Sequence, residues 1–182
     1  MAYATEAQVR RAALLARTAT RKDDRRVIEE ASVAHSNQHF DVFLSHSITD
    51  RELVRGTMEL LRRKGLTVYV DWVSDADLER NAQEVATAVT VKARMRRCDS
   101  LLYIHSEHSR SSRWCPWELG YFDALKHPEN RVFVFPITAK EESYEGQSYL
   151  RLYEALEIGD FHRLGDGHIR RMLRDAFGVQ GR

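Results

Sequence analysis

Phe40–Asp50 reads FDVFLSHSITD. Its first six residues are apolar, β-branched or aromatic at nearly every position, and they stop abruptly at a polar cluster. Such a run fits a strand buried on both faces that ends in a loop. Asp50 is a suitable N-cap for a helix over Arg51 to about Lys64, with Leu53, Met58, Leu60 and Leu61 for its core face and Gly65 where a helix stops. Strand, loop, helix and glycine make half of a βα repeat.

The same unit recurs along the chain. TVYVDW (Thr67–Trp72) predicts a second strand, followed by an acidic loop and a helix from Asn81 to about Arg97 carrying Val85, Ala88, Val89 and Met95. SLLYIH (Ser100–His105) predicts a third strand, then the loop SEHSRSS and a helix containing Glu118. RVFVFPI (Arg131–Ile137) predicts a fourth, with Pro136 near its end, where the ladder can spare a donor. Ala155–Ile158 reads as a short edge strand and His168–Phe177 as a closing helix. Continuous apolar strands alternating with amphipathic helices imply an α/β fold with a parallel sheet covered on both faces. Ligands in such sheets lie at the carboxyl ends of the strands, so the loops Ser45–Thr49, Val73–Arg80 and Ser106–Arg113 are the places to look.

Ahead of this region, Thr5 to about Ala34 lacks proline and glycine and is rich in strong helix formers. Val9, Ala12, Ala13, Ala16 and Ala19 recur at helical spacing, an alanine-rich stripe suited to leaning on the main domain or to self-association. The expected organisation is a helical extension over residues 1–38 and a single domain over 39–182.

Composition narrows the function. The 182 residues are 43% hydrophobic and 30% charged, with a formal net charge of +1, so no basic excess points to nucleic acid. The two cysteines, Cys98 and Cys115, form no CxxC pair, and no Cys/His spacing suits zinc. No apolar run approaches a membrane span, and the first residues lack the apolar core of a signal peptide, which implies a cytoplasmic protein without membrane partners. GxGxxG, GxxxxGK[ST] and GxSxG are all absent. His105 and His108 flank Ser106 and Glu107, but two candidate ligands without a third make a poor metal site; loop hydrogen bonding or capping suits them better.

What remains is SSRWCPWELGYFDALK, Ser111–Lys126, in which the carboxylate Glu118 follows two tryptophans, Trp114 and Trp117, at the start of a helix. One carboxylate is too few for ordinary glycoside cleavage, which also protonates its leaving group. Nicotinamide leaving NAD+ is already cationic in the ground state and departs neutral, so a single glutamate can suffice there by stabilising the ribose cation. Equally, a glutamate in the first turns of a helix can serve only the helix dipole, and its aromatic neighbours only the core. The residues themselves leave both readings open.

FDVFLSHSITD, VYVDW with its acidic loop, and SSRWCPWELG, in that order, resemble the Toll/interleukin-1 receptor (TIR) domain family over roughly Phe40 to Phe177. The resemblance implies a flavodoxin-like fold with a five-stranded parallel sheet. It implies NAD+ as substrate rather than as a resident cofactor, with Glu118 of the WxxxE pattern as the catalytic residue and Trp114 shaping how the ligand folds back. Ser45, His46 and Ser47 after the first strand, and Asp71 with Trp72 at the end of the second, become substrate-binding candidates. It further implies self-association through TIR–TIR contacts. With little room for a fused effector, the chain is similar to the TIR proteins of Thoeris anti-phage defence, whose ADP-ribose-derived signals a separate effector protein senses. A virulence factor depleting host NAD+, a non-enzymatic TIR scaffold and a nucleoside ribosyl-transferring enzyme are the alternatives.

Overall fold

A computed structural model describes residues 3–20, 38–70, 81–139 and 144–165. Its strands are β1 (Ala4–Thr5), β2 (Phe40–Ser45), β3 (Val68–Val70), β4 (Cys98–His105), β5 (Val132–Thr138) and β6 (Glu154–Ala155), and its helices α1 (Glu6–Thr20), α2 (Arg51–Arg63), α3 (Asn81–Met95) and α4 (Trp114–Lys126). Every pairing is parallel, and the order is β1-β5-β4-β2-β3. This is the doubly covered, flavodoxin-like sheet that the alternation of strands and helices implied. Its fifth position is shared: β6 pairs with Phe133 and Val134, and β1 takes up the same strand further on, at Ile137 and Thr138.

Alternation along the strands divides the core into two layers. Val42, Leu44, Leu102, Ile104, Phe133 and Phe135 face α1, α2 and the 3-10 segment Ile158–Gly165. Phe43, Leu101, Tyr103, Val132 and Val134 face α3 and α4. The chain therefore leaves β2 toward one face and leaves the neighbouring β4 toward the other. Between their carboxyl ends lies the crevice that such a reversal opens in a parallel sheet.

Several boundaries differ from expectation for physical reasons. The N-terminal segment is more than a helix, because Ala4 and Thr5 first extend the sheet. Thr5 and Gln8 then cap α1 reciprocally, each side chain accepting the other's backbone N–H. Val9, Ala12, Ala13 and Ala16 are buried as their spacing predicted, and α1 lies against α2 at Gly56, where an added Cβ would meet the Val9 carbonyl oxygen at 2.1 Å. The contact is edged by Arg10, which pairs with both Glu6 and Glu52. On α3, Val89 is 62% exposed, not core, and Val91 is buried in its place together with Met95.

Leu53, Met58 and Leu61 are buried and Leu60 partly so, and Gly65 ends α2 with φ +78°, a conformation glycine adopts without steric cost. The predicted edge strand is found one residue earlier, at β6. Arg131 is a buried clasp: it donates to Ser100 Oγ at 2.6 Å, to the Leu164 carbonyl at 2.9 Å and to the Asp99 carbonyl at 3.3 Å. It thereby ties the Ile158–Gly165 segment to β4. Residues 1–2, 21–37, 71–80, 140–143 and 166–182 lie outside the description, and with them Asp71, Trp72, the acidic loop and the closing helix.

Candidate active site

Ser45 closes β2 and lies opposite Tyr103 in the β2–β4 register. Its side chain points to the α4 face, where Glu118 sits in the second turn of that helix. Ser45 Oγ donates to Glu118 Oε2 at 2.5 Å, and both residues are buried, Glu118 to 5% exposure. A carboxylate so placed has few routes to solvent stabilisation and depends on oriented donors. The opening of α4 follows from Trp114, Cys115, Trp117, Leu119 and Phe122: Cys115, Leu119 and Phe122 enter the core, which fixes the face carrying Glu118.

Trp114 lies one turn before Glu118, on the same side of the helix. It meets Trp117 edge to face at 4.9 Å, and Trp117 stacks on Tyr121. The Lys92 ammonium lies over both Trp117 and Tyr121, so part of the basic end of α3 is spent on aromatic faces, as is Arg94 over Tyr69.

His46 and Ser47 follow Ser45 into the loop. His46 Nδ1 is 3.1 Å from the Leu44 carbonyl, and burial pushes the imidazole below the ordinary histidine range, opposed by that carbonyl and by the charge of Asp50. Ser47 is buried and its hydroxyl pairs with Thr49 at 2.9 Å. Of the seven predicted site residues, the structure joins Ser45 to Glu118 directly, has His46 and Ser47 follow Ser45 in the loop, and puts Trp114 one turn before Glu118. Asp71 and Trp72 lie outside the described residues.

In a second group His108 makes the loop hydrogen bond expected of it, but to a partner that the sequence did not indicate. Asp50 precedes α2 but makes no side-chain capping bond. Its buried carboxylate instead accepts from the Ser106 hydroxyl through Oδ2, and its Oδ1 lies 2.9 Å from His108 Nδ1. Ser106 also accepts the Ser109 N–H, while Ser109 Oγ receives the Tyr103 hydroxyl at 2.9 Å. The loops leaving β2 and β4 are thus laced together across the crevice. Only an unusually serine-rich loop hinted at this, and no spacing links Asp50 to residues 56 and 58 positions away. His105, its candidate companion as a metal ligand, turns to another cluster, edge-on to Tyr103 and Tyr144. Among the described residues no group of three His, Cys, Asp or Glu side chains could hold a metal ion.

Fold and site together define a flavodoxin-like α/β protein with a buried, hydroxyl-held glutamate at its switch-point crevice. The sequence model of the TIR domain matches residues 42–173, and the chain belongs to that family. It is 40% identical over 125 residues to "Probable 3' cyclic ADP-D-ribose synthase ThsB'" of Bacillus cereus (strain MSX-D12), covering 68% of this chain and 63% of that protein. It is 28% identical over 93 residues to "Putative cyclic ADP-D-ribose synthase TIR2" of Cytobacillus dafuensis, covering 50% of this chain and 24% of that one. The chain thus spans less than two thirds of the length of either relative.

Proposed function

We propose that this chain is an NAD+-cleaving TIR enzyme, an NAD glycohydrolase or ADP-ribosyl cyclase that releases nicotinamide and an ADP-ribose-derived product. The observation that carries the reading is the Glu118 carboxylate, fixed by the Ser45 hydroxyl at the crevice where this sheet type binds ligands. As the bond to nicotinamide breaks, positive charge develops on the ribose, and a preoriented carboxylate in a water-poor site opposes that charge without reorganising. Trp114, one turn earlier on the same side of the helix, supplies an aromatic neighbour. The relatives named as cyclic ADP-D-ribose synthases support a cyclised product.

In this reading the product is a signal in bacterial anti-phage immunity, made in the cytoplasm and sensed by a separate effector. Among the described residues no helix is long and apolar enough to cross a membrane. Association with other TIR domains belongs to the proposal, and the half-exposed Trp117, Tyr121 and Lys92 stack offers a surface for it. The test is incubation of concentrated protein with NAD+, following nicotinamide and its partner product by chromatography beside Glu118→Gln. Wild-type turnover that the variant lacks is expected. A wild type that stays silent even when crowded or tethered overturns the proposal in favour of a non-enzymatic scaffold.

A further inference from the structure

Breaking the bond between ribose and nicotinamide is half of a cyclisation. The bonding electron pair leaves with nicotinamide, and a hydroxyl of the remaining ligand forms a new C–O bond at the vacated carbon. That hydroxyl must lose its proton. In that reading Glu118 faces the cationic sugar and already receives the Ser45 hydroxyl, so a separate basic group can take the proton.

We propose that His108, oriented by Asp50, is that proton acceptor, an inference that rests on the NAD+-cleaving reading above. The Asp50 side chain is 2% exposed and that of His108 60%, so a buried carboxylate holds an imidazole that is open to solvent. An ionised carboxylate only accepts; Ser106 fills one oxygen, and His108 Nδ1 carries its hydrogen toward the other. The tautomer is thereby fixed, with the Nε2 lone pair directed away from Asp50. This is the arrangement by which a carboxylate orients a histidine base and stabilises the imidazolium that forms.

Three links run from the pair toward the site of Ser45 and Glu118. Asp50 lies five residues after Ser45 and close enough to favour protonation of His46. Tyr103, the register partner of Ser45, bonds Ser109, the residue after His108. The chain then passes from His108 through one short turn into α4.

In the balanced step, the hydroxyl oxygen bonds to the ribose carbon, its proton moves to His108 Nε2, and Nδ1–H stays on Asp50. Solvent later removes the proton. Among the described residues, the charged or titratable groups near His108 include Asp50 and, behind it, His46 from the β2 loop, with Glu107 and Arg110 on its own segment. Arg110 is turned to the Glu145 carbonyl at 3.5 Å.

The experiment measures cyclised product per nicotinamide released for wild type, His108→Gln and His108→Ala. In both variants the ratio should drop at least tenfold, and added imidazole should restore the cyclised product to His108→Ala but not to His108→Gln. Rescue separates a proton acceptor from a residue that merely holds the loop. An unchanged ratio, or a lowered ratio that imidazole does not restore, overturns the inference while nicotinamide release leaves the proposed function standing. A wild type silent toward NAD+ removes both. As a second readout, NAD+ added to Glu118→Gln protein should shift the His108 Cε1–H resonance; saturating NAD+ that leaves it unmoved overturns the inference as well.

Discussion

Ser45 and Glu118 are 73 residues apart in the chain, yet the serine hydroxyl lies 2.5 Å from the glutamate carboxylate inside the protein. One residue ends a strand and the other sits in the second turn of a helix that follows a different strand. The sheet register and the packing of α4 bring them together. That pairing turns a glutamate of ambiguous purpose into a held side chain at the carboxyl edge of the sheet.

Glu118→Gln should keep the shape of the side chain and an acceptor for Ser45 while removing the charge. Nicotinamide release should fall by at least about a hundredfold, with the thermal midpoint changed by no more than a few degrees. Ser45→Ala should leave the Glu118 side chain but remove one bond that orients it, lowering turnover roughly ten- to a hundredfold, as expected for one charge-assisted hydrogen bond. Equal activity in wild type and both variants would remove Glu118 from the chemistry.

Gly56→Ala tests whether the N-terminal helix is seated as described. The new Cβ would press on the Val9 carbonyl, a backbone atom that cannot swing aside. A loss of about 1–3 kcal/mol is expected by urea unfolding, accompanied by faster hydrogen exchange in α1. A variant as stable as wild type would mean that α1 does not rest there.

Arg131→Met removes donors from the Asp99 and Leu164 carbonyls and from Ser100 Oγ. Buried charged hydrogen bonds of this kind predict a cost of about 2–4 kcal/mol. Hydrogen exchange should accelerate first in Ile158–Gly165, which the guanidinium anchors. Uniform acceleration across the sheet would instead speak for a general core defect.

Stability should decline on the acid side because of His46 and His105, both pushed below the ordinary histidine range chiefly by burial. Between the lowered folded-state value and the unfolded value of about 6.5, the unfolded chain binds more protons, so acidification favours unfolding. Above that window the two histidines contribute no pH dependence. Urea midpoints measured from pH 7.5 down to 5.5 should therefore fall below about pH 6.5, and less steeply in His46→Gln. An equal slope in that variant would assign the effect elsewhere.

The fold was legible where chemistry is local. Apolar β-branched runs such as FDVFLS and VFVFPI cannot be solvated on either face, so their burial in a covered parallel sheet follows from composition alone. The tryptophan-rich start of α4 likewise marked Glu118 as unusual. Val89 misled because a helix pattern admits neighbouring faces, and the sheet selected Val91 instead. Strand β1 is two residues long and carries no pattern of its own; it forms only because β5 leaves the end of its outer edge unpaired by β6.

By itself the sequence determined the alternation of strands and helices, and it marked the carboxyl edge of the sheet and one carboxylate as the places to look. Only the tertiary structure decided what that carboxylate touches, and that Asp50 serves Ser106 and His108 rather than the helix it precedes. The physical reason is range. Burial and backbone preference act on neighbouring residues and leave a periodic trace, whereas hydrogen bonds between side chains dozens of residues apart depend on register and packing, which no single stretch of chain records.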